Sequence, residues 1–143
     1  MERDYKIIAI DFDGTLFETD YPAIVRPILP VIEMVKARRE KGDKLILWTC
    51  REGPELDAAV EACRAEGLEF DAVNDNIQEL KDYWKNNPRK VAADEYWDDK
   101  NSWCFVVRDQ YDRKWIVIDD AERIKRFERP IKFTDIHGGM RKQ

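Results

Sequence analysis

The feature that most constrains this chain is a short apolar run that ends at two aspartates. Tyr5-Lys6-Ile7-Ile8-Ala9-Ile10 is followed directly by Asp11-Phe12-Asp13-Gly14-Thr15. An isoleucine-rich run that stops abruptly at polar residues is typical of a buried parallel strand reaching its carboxyl end. Residues i and i+2 of an extended stretch point to the same side, so the carboxylates of Asp11 and Asp13 are expected to face one site.

Apolar runs and helical patterns alternate along the next 90 or so residues. Further strands are predicted at 44–48, 70–73 and 91–97, and helices at 31–41, after Pro54 and at 77–84. Three prolines between Pro22 and Pro30 are expected to exclude a regular element there. Strands separated by helices predict an α/β fold, a Rossmann-like doubly wound parallel sheet with its functional residues at the carboxyl ends of the strands.

The pattern changes beyond residue 101. Apolar stretches at 103–107 and 115–118 flank a polar turn, which predicts a C-terminal β-hairpin. A short helix at 121–127 and a polar tail at 131–143 are expected to follow it. The length of 143 residues fits a single domain, 1–143, with a core at about 5–101 and the hairpin and short helix at about 102–130.

Composition argues against several classes of protein. The chain has 25 Lys+Arg, 30 Asp+Glu and a formal charge of -5, so it lacks the basic field of a general nucleic-acid or membrane-surface binder. No apolar run approaches the roughly 20 residues that cross a bilayer, and the charged start has no signal-peptide pattern; a cytoplasmic protein is expected. Three scattered cysteines and one histidine argue against a disulfide framework, a Cys/His zinc site and a Ser-His-Asp triad.

The string Asp-Phe-Asp-Gly-Thr-Leu at 11–16 resembles the first motif of the haloacid-dehalogenase (HAD) phosphohydrolases, Asp-x-Asp-x-Thr. The stretches 45–53 and 89–99 resemble a small capless bacterial and phage branch of that superfamily, and the resemblance covers residues 5 to about 101. It implies a nucleophilic aspartate, a second aspartate as acid and base, a Thr or Ser, a Lys or Arg, and an acidic pair. In order, the matching residues of this chain are Asp11, Asp13, Thr49, Lys90, Asp98 and Asp99.

The chemistry expected of these residues is phosphoryl transfer. A phosphate monoester is a dianion, so a carboxylate nucleophile needs cations beside it, and an all-oxygen acidic cluster suits Mg²⁺. Asp11 is expected to bind Mg²⁺ with one oxygen and to attack phosphorus with the other, giving an aspartyl-phosphate. Asp13 is expected to act as general acid and base and to reach the metal through its carbonyl. Asp98 and Asp99 are expected to complete the metal site.

Thr49 and Lys90 are expected to contact the phosphoryl group. The Thr49 hydroxyl would hydrogen-bond one of its oxygens, and the Lys90 cation would offset charge in the transition state. Lys81 and Lys85 are weaker candidates for the same cation. Four other residues are candidates for substrate binding: Gly14, Cys50, Arg51 and Asn74.

Arg51 and Cys50 each admit a second interpretation. Arg51 either holds a second anionic group of the substrate or is a surface arginine paired with Glu52 or Glu55. Cys50 is interpreted as a packing residue rather than a nucleophile, because Asp11 already fills that role.

The position of the fourth motif has two candidates. Asp119-Asp120 also follow an apolar run, but Asp98-Asp99 match the branch better and lie at the expected distance from Lys90. Asp98-Asp99 are therefore the predicted acidic pair.

The function expected from these residues is that of a phosphatase, and the competing hypothesis is a catalytically silent HAD-fold binding or scaffold protein that uses the C-terminal hairpin. The chain between the motifs is too short for a cap domain, so the site is expected to be open. The expected substrate is a small phosphorylated molecule or an exposed phosphate on a macromolecule, and nucleic acid is disfavoured. A homo-oligomer formed through the hairpin is a hypothesis.

Overall fold

The computed structural model describes residues 1–102 and 104–118. The strands in these ranges are β1 (Ile7–Ile10), β2 (Phe17–Asp20), β3 (Ala23–Pro27), β4 (Lys44–Leu47), β5 (Ala72–Val73), β6 (Glu95–Trp97), β7 (Cys104–Arg108) and β8 (Lys114–Ile118). The helices are α1 (Leu29–Glu40), α2 (Gly53–Ala65) and α3 (Gln78–Trp84). The four strands and three helices predicted before residue 100 are therefore all present. None of the described helices is long and apolar enough to cross a membrane.

The central sheet has four strands in the order β5-β4-β1-β6, and all three pairs are parallel. The predicted α/β fold with a parallel sheet is confirmed. Strand β1 lies in the interior of the sheet, and its neighbours continue past its end. The Asp11 N–H donates to the Trp97 carbonyl at 2.9 Å, and the Trp48 N–H donates to the Ile10 carbonyl at 2.8 Å. The residues that follow β1, β4 and β6 are thereby held side by side at one edge.

Helices cover both faces of this sheet. Successive residues of a strand point to opposite faces, and because β1 and residues 45–47 of β4 are apolar, both faces need to be buried. One face of β1 and β4 packs against α1 and α2 in a cluster that includes Ile8, Ile10, Leu45, Leu47, Ile32, Val35, Ala59 and Cys63. The other face packs against α3 in a cluster that includes Ile7, Ala9, Ile46, Ile77, Leu80 and Val91. The arrangement is Rossmann-like, with the sheet buried between two helical layers.

The prediction that residues 22–30 hold no regular element is wrong. Strands β2 and β3 form a two-stranded antiparallel hairpin. Pro22 lies in the turn between the strands and Pro27 is the last residue of β3, and prolines are tolerated at turns and at the ends of edge strands. Pro30 lies in the first turn of α1, where a helix needs no N–H from it. The three prolines therefore stand at element boundaries.

Strands β7 and β8 pair antiparallel from Cys104↔Ile118 to Arg108↔Lys114, so the predicted C-terminal hairpin is confirmed. The helix predicted at 121–127, the polar tail at 131–143 and the alternative acidic pair Asp119-Asp120 lie outside the described residues.

Candidate metal and catalytic site

Three aspartate carboxylates meet at the carboxyl edge of the central sheet. Asp11 directly follows β1, whereas Asp98 and Asp99 follow β6, which is the neighbour of β1. One oxygen from each of the three side chains lies within 4.8 Å of the other two. The structure thus brings together the three carboxylates that the sequence assigns to the metal, although Asp11 and Asp98 are 87 positions apart in the chain.

The hydroxyl of Thr15 lies between Asp11, which follows β1, and Asp99, which follows β6. Its Oγ1 is 3.2 Å from Asp11 Oδ2 and 3.3 Å from Asp99 Oδ1, so its single proton is donated to one carboxylate at a time. The same oxygen accepts the Asp99 N–H at 3.0 Å. No separate role was predicted for Thr15, although it is the threonine of the Asp-x-Asp-x-Thr motif, and that motif is the signal that could have found it.

Negative charge accumulates at this cluster. Burial raises the pKa of Asp11 to about 8, and the carboxylates of Asp98 and Asp99 contribute to the rise. Burial also raises the pKa of Asp99, against the opposing charge of Lys100. Among residues 1–102 and 104–118, none of the three aspartates belongs to a salt bridge. Clustered carboxylate oxygens of this kind are hard ligands, and a divalent cation such as Mg²⁺ would stabilise them.

Gly14 permits the close approach of the two halves of the cluster. Its φ is +84°, a backbone conformation that favours glycine, and a Cβ atom added there would lie 2.5 Å from Asp99 Oδ2. Gly14 also lines a cavity of about 300 Å³ beside the cluster. The other residues that line this cavity are Thr15, Ile28, Val31, Met34, Trp97, Asp98 and Asp99. The cavity therefore has both an apolar wall and an acidic wall.

The carboxylate of Asp13, which the sequence assigns as general acid and base, is bound by Arg51. Arg51 Nε donates to Asp13 Oδ2 at 2.9 Å, and Arg51 Nη2 donates to Asp13 Oδ1 at 2.8 Å. Both side chains are buried, and Arg51 is only 1% exposed. The guanidinium carbon lies 5.0 Å from the centre of the Phe12 ring and 4.9 Å from that of Tyr21. The Asp13 side chain is therefore held by a bidentate ion pair outside the three-carboxylate cluster.

Both interpretations of Arg51 are wrong for this structure. Its guanidinium is neither exposed to a substrate nor paired on the surface with Glu52 or Glu55; the one contact with Glu55 is to its carbonyl, at 3.4 Å. The reason is that the backbone of Arg51 lies at the sheet edge, whereas its side chain extends inward to the buried carboxylate of Asp13. The sequence around Arg51 does not predict Asp13 as its partner, because Asp13 lies 38 positions away.

Asn74 fixes the backbone that carries Thr49 and Arg51. Its Oδ1 accepts the Thr49 N–H at 2.8 Å, and its Nδ2 donates to the Arg51 carbonyl at 3.2 Å. Asn74 adopts a positive φ of 49°, which asparagine tolerates better than most residues. The Asn74 amide therefore links the backbone of Thr49 to that of Arg51. Thr49 Oγ1 accepts the Arg51 N–H at 3.1 Å, and no acceptor for the hydroxyl proton of Thr49 is present among the described residues.

In residues 1–102 and 104–118, neither Lys90 nor Lys81 forms a hydrogen bond or salt bridge with the cluster. Lys90 is exposed, and its Nζ lies 5.3 Å from the centre of the Tyr96 ring. The hydroxyl of Tyr96 donates to the Val91 carbonyl, which fixes the ring. Lys81 forms an ion pair with Asp75 at 2.8 Å. Within the described ranges, Lys90 has neither a salt bridge nor a hydrogen bond to an aspartate of the cluster. The structure gives no contact that supports its predicted role.

Cys50 lies at the mouth of the site rather than in the core, so its interpretation as a packing residue is wrong. Partial burial and the nearby carboxylate of Asp11 raise the pKa of its thiol. A raised pKa lowers the thiolate fraction, which agrees with the expectation that Cys50 is not the nucleophile.

The fold and this site together define an α/β protein with a parallel sheet and an acidic site at the carboxyl ends of its strands. A scan against protein-family models and a search of the curated proteins find no match. Among solved structures, the chain is similar to a conserved protein coded by a locus of Bacteroides thetaiotaomicron, with 34% sequence identity and a TM-score of 0.60. The alignment covers 94% of this chain and 98% of that one. The chain belongs to the same family as that conserved protein.

Proposed function

We propose that this protein is a magnesium-dependent phosphatase of the HAD type, which hydrolyses a phosphorylated substrate through an aspartyl-phosphate at Asp11. The observation that carries the proposal is the cluster of Asp11, Asp98 and Asp99, whose carboxylate oxygens lie within 4.8 Å of one another. These are the residues that the resemblance to HAD phosphohydrolases assigns to the nucleophile and the metal. The fold supports the proposal only in its coarser form, an α/β protein with a parallel sheet.

Magnesium is the cation that this donor set favours. Carboxylate oxygens are hard ligands, and Asp11, Asp98 and Asp99 would hold the ion. The raised pKa of Asp11, caused by burial and by the two neighbouring carboxylates, reflects the charge that a cation would relieve. When bound, Mg²⁺ would offset the negative charge of both the carboxylates and a phosphoryl group.

Asp11 and Thr49 have different roles in the proposed reaction. Asp11 attacks phosphorus as the nucleophile. Thr49 donates its hydroxyl proton to a phosphoryl oxygen, since its oxygen already accepts the Arg51 N–H. The cavity beside the cluster, about 300 Å³ in volume, offers room for the organic part of the substrate along its apolar wall.

The test is hydrolysis of p-nitrophenyl phosphate with and without Mg²⁺. Asp11→Asn is expected to lower kcat by at least about 10³-fold, because it removes the nucleophile. Asp99→Asn is expected to weaken Mg²⁺ binding, and Asp120→Asn, which alters the alternative acidic pair, is expected to retain activity. The matched control is Asp57→Asn, an exposed aspartate on α2. Full activity in Asp11→Asn would refute the proposal.

A catalytically silent binding protein is the second candidate. One observation favours it: Lys90, the predicted transition-state cation, is exposed beside the Tyr96 ring, and in the described part of the chain it has no hydrogen bond or salt bridge to the cluster. This candidate predicts Mg²⁺ binding without turnover of any phosphorylated compound, and calorimetry alongside the hydrolysis assay distinguishes the two.

A further inference from the structure

Arg51 is the largest fully buried side chain in the described part of the molecule, and its hydrogen bonds all go inward. Two of its nitrogens bind the two oxygens of Asp13, at 2.8 and 2.9 Å. The remaining nitrogen, Nη1, donates to the carbonyls of Pro22 at 3.2 Å and Glu55 at 3.4 Å. Arg51 therefore joins the first motif to the β2–β3 turn and to α2.

Separation of this ion pair would be costly. The Arg51 side chain is 0% exposed and the Asp13 side chain 12% exposed, so neither charge would find bulk water nearby. Removing one partner from a buried pair leaves an uncompensated buried charge, which is strongly unfavourable. The aromatic rings of Phe12 and Tyr21 on the guanidinium further hold Arg51 where it is.

We propose that Arg51 is a positioning residue that keeps both oxygens of Asp13 engaged, so that Asp13 does not protonate the leaving group. The site would then act on phosphates whose leaving group departs as a stable anion, namely aryl, enol and acyl phosphates, in preference to alkyl esters. This inference rests on the proposed function, because it concerns the substrate class of the same site. It replaces the sequence expectation that Asp13 is the general acid.

The reaction balances without a proton donor. An oxygen of Asp11 attacks phosphorus, the bond from phosphorus to the leaving oxygen breaks, and the leaving group takes the electron pair and departs as a carboxylate, enolate or phenolate. Water then attacks the phosphorus of the aspartyl-phosphate, and the bond from phosphorus to Asp11 breaks. Asp11 recovers its carboxylate, and both hydrogens of the water leave on dihydrogen phosphate.

The test is the dependence of kcat/KM on the leaving group in the unmodified, Mg²⁺-loaded protein. The substrates are dinitrophenyl, p-nitrophenyl and phenyl phosphate, whose phenols are progressively less acidic, with acetyl phosphate and glycerol phosphate as an acyl and an alkyl example. Without a general acid, kcat/KM is expected to fall at least about 100-fold from dinitrophenyl to phenyl phosphate. Acetyl phosphate is expected among the fast substrates and glycerol phosphate as the slowest. Values within about threefold across the aryl series, as a working general acid would give, would overturn the inference.

A variant of Arg51 supplies a readout that a purely structural role would not move. Arg51→Lys replaces two donors on Asp13 by a single ammonium, and the ratio of phenyl to dinitrophenyl phosphate hydrolysis is expected to rise about tenfold as Asp13 becomes available. Arg38→Lys is the matched control, because Arg38 makes a similar bidentate pair with Glu95, at 3.0 and 2.6 Å. An unchanged ratio in folded Arg51→Lys, checked by circular dichroism, would overturn the inference. If Arg51→Lys does not fold, the leaving-group series with the unmodified protein still tests the inference.

The failure of this inference is distinguishable from the failure of the proposed function. Turnover that requires Asp11 but does not depend on the leaving group overturns the inference alone. Absence of turnover with every phosphate, or equal turnover by Asp11→Asn, overturns both.

Discussion

Gly14 leaves the space that the carboxylate of Asp99 occupies. A Cβ atom at Gly14 would lie 2.5 Å from Asp99 Oδ2 and 2.9 Å from Asp99 Cγ, closer than van der Waals contact permits. The two residues are 85 positions apart, and their contact closes the cluster that Asp11 begins. The glycine of the first motif is thus tied by geometry to the acidic pair of the fourth.

Replacing Gly14 by alanine should displace Asp99. We expect a loss of about 1–3 kcal/mol of unfolding free energy from the positive φ and a fall of at least about tenfold in Mg²⁺ affinity, since a ligand is moved. Gly42→Ala is the control, because Gly42 also has a positive φ, +99°, but has nothing within 4 Å of an added Cβ. Urea unfolding and calorimetry with Mg²⁺ measure the two effects. Equal Mg²⁺ affinities in the two variants would contradict the role given to Gly14.

The clustered carboxylates should destabilise the metal-free protein. Folding of the metal-free protein either buries the Asp11 carboxylate beside Asp98 and Asp99 or makes it take up a proton, as its raised pKa indicates. Asp11→Asn removes that cost, so in EDTA we expect it to unfold at a higher temperature than the unmodified protein, with a gain of about 1–2 kcal/mol. With Mg²⁺ the order should reverse, because only the unmodified protein gains full stability from binding. Thermal unfolding with and without Mg²⁺ measures both. Asp57→Asn should show neither effect, and a cluster variant that behaves like it would count against a metal site.

Asp43 should make stability depend on pH in the acid range. Its carboxylate accepts the Lys6 N–H at 2.9 Å and the Arg38 Nε–H at 2.7 Å, and these bonds lower its pKa below the ordinary value. A lowered folded-state pKa means that the contribution is fully present above the unfolded pKa, about 4, and is lost as pH falls through the folded-state pKa. The unfolding free energy of the unmodified protein should therefore exceed that of Asp43→Asn at pH 7, and the difference should shrink below pH 4. Urea unfolding across that range measures it, and a constant difference would refute the assignment.

Asn74 should stabilise the loop that carries Thr49. Asn74→Ala removes the hydrogen bonds to the Thr49 N–H and the Arg51 carbonyl and puts alanine at a positive φ, so we expect a loss of about 2–3 kcal/mol. Asn74→Gly removes the same bonds without the backbone strain and should cost less. Comparing the two by urea unfolding separates the bonds from the strain. If Asn74→Gly is no less destabilised than Asn74→Ala, backbone strain at this position is not the cause.

The sequence predicts the central sheet well because its signals are local. The isoleucines before Asp11 and the apolar run before Trp48 identify buried strands, and glycines at 42 and 67 end helices. The β2–β3 hairpin is not predicted, because three prolines close together suggest that regular structure is excluded, whereas each stands at a boundary. Proline restricts the positions inside an element and not the positions at its ends.

The site was predictable in part. Asp11, Asp98 and Asp99 follow neighbouring strands, and parallel strands bring their carboxyl ends to one edge. The partner of Arg51 was not predictable, because the ion pair with Asp13 depends on how far each side chain extends into the core. Lys90 was assigned to the site from the order of the motifs along the chain. That order does not determine where a long side chain on the loop before β6 points.

The most direct measurement of the central claim is the mass of the protein after acid quenching during turnover of dinitrophenyl phosphate with Mg²⁺. The proposed mechanism predicts a fraction of the unmodified protein carrying one phosphoryl group, located by peptide mapping at Asp11, and none in Asp11→Asn. Steady turnover with equal rates in the unmodified protein and Asp11→Asn, and no phosphoryl group on either, would contradict it.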